Sequence, residues 1–158
     1  DHPCARAVLK DAAGVVIADH RGYAHRAALG AGETAPFQIM AKKSAYARAE
    51  VELCEVRAVR YGAAEAPARV VEHKLMRGDF GSQAVIGTVE NGGEVPLEYV
   101  RVVMMGRDSA GALVSVDEAF ADVKQLEPGR KSTFKVTVGL FSTGSVARYD
   151  AYAVGMPR

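Results

Sequence analysis

Four histidines and two cysteines are the residues of this 158-residue chain best suited to hold a metal or take part in catalysis. His20 and His25 stand five apart, with Asp19 beside them. On a strand an odd separation places two side chains on opposite faces, so a shared metal would require the segment to loop. His2 beside Cys4 is an equally thin signal. Structural zinc sites show paired Cys and His spacings, and none occurs. Gly78-Asp-Phe-Gly81 has the letters of the kinase metal loop. It lacks a Gly-rich loop, a catalytic loop and sufficient chain length, and it reads as a turn. Ser132, Ser142 and Ser145 have no nucleophile-elbow context and no implied His–Asp partner. No phosphate-binding glycine loop is present. Tryptophan is absent, and the few aromatics are not interleaved with basic residues, which counts against stacking on nucleic acid. The reading is a non-enzyme with no metal, no cofactor and solvent-exposed histidines.

Cys4 and Cys54 are the only cysteines. An even count is compatible with one disulfide in an oxidising compartment. A bridge over so long a loop would contribute roughly 4 kcal/mol. Two separate, half-buried thiols are the other reading.

Charges nearly cancel, at a formal net +1, so the overall field gives no reason to expect nucleic acid or an anionic membrane as partner. No apolar run approaches the ~20 residues of a membrane helix. The chain opens Asp1-His-Pro-Cys-Ala-Arg6, without the basic start and apolar segment of a signal peptide. It reads as a mature or trimmed chain.

The elements that would position any site are set by an internal repeat. The stretch from Val100 to Val138 lies without a gap on Pro3 to Ala41 when moved back by 97 positions. Asp108 falls on Asp11, Gly111 on Gly14, Leu126 on Leu29, Gly129 on Gly32 and Phe134 on Phe37. A repeat outranks local propensity as evidence for architecture. It places Asp11, Gly14, Gly32, Asp108, Gly111 and Gly129 as turn residues that each copy needs.

Period-two alternation marks strands at Pro3–Lys10 and Val15–Ile17 in the first copy, with a further short strand at Pro36–Met40. The polar Ala18–Ala27 segment reads as an edge strand or crossing loop. Ala49–Val59 is rich in helix formers. Its counterpart ARYDAYAV alternates and carries two tyrosines, which favours a strand. In the second copy strands are expected over Arg69–Met76, Gln83–Glu90, Leu97–Met105, Ala112–Val116, Ser132–Val138 and Val146–Val154. Asn91-Gly92-Gly93 predicts a type I′ hairpin. About seven strands, with turn signals every 8–12 residues, predict an all-β sandwich. The expected organisation is a partial repeat over 1–59, a linker over 60–68 and a complete repeat over 69–158.

The second copy resembles the FxLYD domain, a small bacterial immunoglobulin-like module. The matching residues are Gly87–Asn91 (GTVEN), Pro96–Met104 (PLEYVRVVM), the turn Arg107–Gly111 (RDSAG) and Leu126–Val136 (LEPGRKSTFKV). Gly106 and Arg107 stand where the family has a bulky apolar residue and an aromatic. The resemblance implies two tandem immunoglobulin-like β-sandwich units, the first lacking its opening strands. It also implies an extracytoplasmic module in the periplasm, in the envelope or on the surface.

The 28 residues from Arg69 to Pro96 have no counterpart ahead of the first copy. A sandwich missing two strands exposes core and open sheet edges. A fragment cut from a longer chain is the first explanation. Strands supplied by another chain are the second, and a smaller sheet leaning on the second copy is the third. The copies also differ in charge. His20, Arg21, His25 and Arg26 face Asp117, Glu118, Asp122 and Val123 at matching positions, which would suit head-to-tail association; two solvated segments are the alternative. Val103 and Met105, opposite Val102 and Met104, read as an inter-unit or inter-chain contact or as central-strand burial. The expected function is a binding or assembly module that meets a protein partner, or another copy of itself as a homodimer. A stress-protective, LEA-like sandwich is the alternative.

Overall fold

The computed structural model describes residues 3–27, 29, 31–41, 45–54, 65–78 and 82–158. Among these residues the protein is all-β, with ten strands and no helix. It divides into two compact units, Asp1–Gly62 and Ala63–Arg158. The first unit holds β1 (Cys4–Lys10), β2 (Val16–Tyr23) and β3 (Arg48–Leu53). The second holds β4 (Ala66–Arg77), β5 (Gln83–Glu90), β6 (Leu97–Arg107), β7 (Leu113–Phe120), β8 (Gln125–Leu126), β9 (Lys131–Thr137) and β10 (Arg148–Pro157). β4 thus begins inside the stretch expected to be linker, and residues 60–64 of that stretch lie outside the described residues.

The second unit is a curled antiparallel sheet in the order β7-β6-β10-β4-β5-β9, with β8 added beside β6. β4 makes the curl. Its first residues, Ala66–Ala68, pair with β10. From Arg69 onward it pairs with β5, with a register shift between Val70 and Glu72. A bulge of this kind bends a strand and increases its twist. The β5-β9 layer therefore lies over the β7-β6-β10 layer, and an isolated bridge between Ala121 and Phe134 closes the far side. Sequence pattern explains each layer. β9 alternates, burying Ser132, Phe134 and Val136 and exposing the lysines and threonines between them. β6 is apolar on both faces because it is central. Val102 and Met104 enter the core cluster with Val85, Val89, Phe134 and Val136, and Val103 is buried on the opposite face.

Asn91 does not make the expected hairpin turn. β5 and β6 are not paired with each other, and among the described residues the only non-glycine residue of positive φ is Tyr99. The Asn91 side chain is instead fully buried. Its Nδ2 donates to the carbonyls of Val95 and Leu126, each at 2.8 Å, and its Oδ1 accepts from the Gly93 amide at 3.0 Å. Its backbone amide and carbonyl bond Arg130 and Gly129. The side chain thus ties the loop after β5 to β8 and satisfies its own buried amide together with the buried Leu126 carbonyl.

The first unit repeats half of this plan. Its sheet runs β2-β1-β3. β2 is β7 moved back by 97 residues, and the segment read as an edge strand or loop is therefore a strand. Asp11 and Asp108 build one turn twice. Asp11 Oδ1 accepts from the amides of Ala13 and Val15, and Asp108 Oδ1 from those of Ala110 and Ala112, all at 2.9 Å. Gly14 and Gly111 follow at φ 83° and 87°, a region L side chains avoid. The bridge from Ala24 to Phe37 matches that from Ala121 to Phe134.

The strand expected at Pro36–Met40 is reduced to the single bridge at Phe37. In the second unit β5 pairs with the equivalent strand along its whole length, and among the described residues the first unit has no strand in that place. The strand expected over Ala49–Val59 is present as Arg48–Leu53, and residues 55–59 lie outside the described residues.

Candidate docking edge of the first unit

β1 sorts its side chains by parity. Ala5, Ala7 and Leu9 are buried; Arg6 and Lys10 point to the other face. Ladder partners share a face, and Ala5 and Ala7 stand opposite Leu53 and Val51 of β3. β3 therefore carries two large apolar side chains on the core face, yet Val51 is 59% exposed and Leu53 75%. β3 is also the sheet's edge, with β1 on one side and no described strand on the other. Phe37 and Met40 are exposed as well. An unpaired edge with apolar side chains beside it is the geometry that recruits another strand.

The opposite face is polar and internally paired. Arg6 binds Asp19 of β2 through Nε and Nη2 (2.9 and 2.6 Å to Oδ1 and Oδ2) and Glu52 of β3 through Nη1 (2.9 Å). The hydrogen bond from Arg6 holds the Asp19 carboxyl below its usual range. Lys10 Nζ meets Glu50 Oε2 at 2.7 Å and Arg48 Nη2 meets Glu50 Oε1 at 2.9 Å. The second unit repeats this cluster as Arg107–Asp150–Arg148, at 2.6 and 3.4 Å. The repeat offset is 97 on the first strand and 100 on the last: Lys10 pairs with Arg48, as Arg107 does with Arg148. Sequence reading missed this cluster. Its signal was the pair of basic and acidic residues at Arg48/Glu50 and Arg148/Asp150, hidden by the three-residue change of offset.

The remaining candidates fall in several places. Cys4 and Cys54 are joined by a disulfide, which ties the start of β1 to the end of β3. His20 lies across from Ala7 on the core face, and Arg21 lies across from Arg6 on the polar face. Arg26 pairs with Glu33 at 3.1 Å. Asp117 accepts from the Gly139 amide, Glu118 meets Arg101 at 3.5 Å, and Asp122 accepts from the Thr133 hydroxyl. The acidic members are thus engaged inside their own unit. Val103 is buried between Glu118 and Tyr152 on its ladder, and Met105 is half-buried. Gly92 is exposed in the loop after Asn91; Gly32 and Gly129 share positive φ. Ser132 donates to the Thr133 carbonyl and Ser142 to that of Gly144. Residues 79–81 and His2 lie outside the described residues. Among the described residues no three His, Cys, Asp or Glu side chains group to hold a metal, and no helix is long and apolar enough to cross a membrane.

Fold and edge together define a tandem all-β protein with β-sandwich-like architecture, one unit closed over its core and one open. It belongs to the family of the uncharacterized protein MJ0360 of Methanocaldococcus jannaschii. The two are 33% identical over 114 residues, which are 71% of this chain and 73% of that protein. No family model matches the chain, and no solved structure matches it.

Proposed function

We propose that this protein is a non-catalytic binding or assembly module of the FxLYD kind, placed in the cell envelope or on the cell surface, where it meets a protein partner through its sheet edges and loops. The observation that carries the reading is β3, an edge strand with Val51 and Leu53 exposed on the face that the second unit buries. The Cys4–Cys54 disulfide supports an oxidising, extracytoplasmic setting. Exposed apolar groups beside an open edge are a standing aggregation hazard, and natural proteins cover them.

A photo-crosslinking amino acid placed at Leu53, in cells of the native organism, tests this. The reading expects one or a few discrete protein adducts from Leu53 and none from Glu52 on the polar face. An absence of discrete adducts at Leu53 would contradict it.

A further inference from the structure

The outer face of the β4-β5-β9 layer carries a groove of about 500 Å³, within the usual size range of small-ligand sites. Ladder partners share a face, and two rows of them cross its floor. Lys74, Ile86 and Lys135 make one row; Glu72, Thr88 and Thr133 make the other. Neighbouring strands lie about 4.8 Å apart, so Ile86 separates the two lysine Cα atoms by about 10 Å. Gly87 lies between the rows. Its lack of a side chain lets the Phe134 ring pack against β5 from within; a Cβ there would sit 2.6 Å from Phe134 Cζ.

The charges in the groove do not neutralise one another. Glu72 Oε1 accepts from the Thr88 hydroxyl at 3.3 Å. Asp122, at the outer edge of β9, accepts from the Thr133 hydroxyl and donates its amide to the Thr133 carbonyl. Thr88 and Thr133 are ladder partners, so the carboxylates they hold are neighbours. Among the described residues neither Lys74 nor Lys135 has a carboxylate within ion-pair distance. Two ammonium groups thus stand at one end and two carboxylates at the other, a two-residue strand step of about 7 Å apart.

We propose that this groove binds a short zwitterionic peptide of dipeptide size, its carboxylate between Lys74 and Lys135 and its ammonium between Glu72 and Asp122. The proposal stands on the second unit alone and goes beyond the binding-module reading at β3. A single amino acid carries both charges on one carbon and is too short to reach both rows. An extended dipeptide covers about 7 Å, the same two-residue step that separates the rows. Each end then meets two opposite charges, and charge-assisted hydrogen bonds are the strong ones. The half-buried Ile86 gives the peptide an apolar floor beside its carboxylate end.

The test is isothermal titration calorimetry of the full chain with L-alanyl-L-alanine, its N-acetyl form, its C-terminal amide, and alanine. Saturable one-to-one binding of the free dipeptide is expected. Blocking either end should weaken it about tenfold or more, the effect of losing a hydrogen bond to a charged group. Alanine should bind no better than the blocked forms. Lys74→Gln with Lys135→Gln should erase the preference for the free acid over the amide. Glu72→Gln with Asp122→Asn should erase the preference for the free amine over the N-acetyl form. All four side chains are exposed, so both variants keep the fold, and circular dichroism checks that they do. The blocked peptides question the parent protein directly, so the answer does not depend on the variants. No saturable heat from the free dipeptide up to millimolar concentration overturns the proposal. Equal binding of the free dipeptide and either blocked form also overturns it, because the groove then reads one charge or none. Binding unchanged in both variants places the peptide elsewhere and overturns it too. Crosslinking from Leu53 is untouched by any of these results, so the two readings fail separately.

Discussion

Phe37 and Phe134 occupy one position of the repeat in two environments. Each bridges the alanine thirteen residues before it, Ala24 or Ala121. Phe134 is 2% exposed beneath β5, whereas Phe37 is 40% exposed. Phe134→Ala is expected to cost about 3–5 kcal/mol, the range for truncating a buried phenylalanine. Phe37→Ala, already half in water, is expected to cost about 1 kcal/mol. Urea denaturation of the two variants checks the difference, and equal costs would mean that Phe37 is covered in solution.

Asn91 is expected to be the most sensitive polar residue of the second unit. Asn91→Ala strands the Leu126 carbonyl in the interior and releases the Val95 carbonyl and the Gly93 amide of the adjoining loop. Each buried group left without a partner costs about 1–3 kcal/mol. A melting temperature lowered by ten degrees or so is expected, and a shift of a degree or two would show that water replaces the side chain.

The Cys4–Cys54 bridge closes a separation of 50 residues. In the chain-entropy picture its reduction removes about 4 kcal/mol from the first unit. Reduction is therefore expected to unfold the first unit at a temperature that leaves the second intact, read as two separated transitions in calorimetry. A thiol-reactive dye that labels the unfolded, unreduced protein would contradict the bridge itself.

Acid should loosen both units through the same repeated cluster. The hydrogen bond from Lys10 lowers the Glu50 carboxyl from its ordinary 4.5, and that from Arg107 lowers Asp150 from 3.8. A carboxyl whose folded value is depressed stabilises fully above its unfolded value, and that stability is lost as pH falls through the folded one. The melting temperature should hold above about pH 5 and fall below pH 4, less steeply in Asp150→Asn. High salt should shrink the difference between variant and parent, because these groups are exposed.

Much of this architecture was legible because a repeat imposes its period on every level. The offset of 97 predicted both Asp turns and both phenylalanine positions, whereas the polar segment that forms most of β2 read equally as an edge strand or a crossing loop. It could not predict the loss of the strand at Pro36–Met40. That segment alternates like β9, but a strand needs a partner, and pairing is a property of what lies beside it. Asn91-Gly-Gly93 misled for a related reason. Asn before Gly is favourable in a tight turn, yet Val95 and Leu126, remote or unremarkable in sequence, compete for the same amide. The strip at Val51 and Leu53 was invisible as a site, because alternating Glu and apolar residues look the same on a covered and on an open strand.

Hydrogen exchange across the two edge positions tests the central claim, that the outer edge of β3 stands open. Alternate amides of β3 between Arg48 and Leu53 should exchange nearly as fast as open chain. Those of β10 around Ala153 and Val154, flanked by both β6 and β4, should exchange orders of magnitude more slowly. Equal protection of β3 and β10 in the isolated chain would mean that the edge is already filled, and would contradict the account.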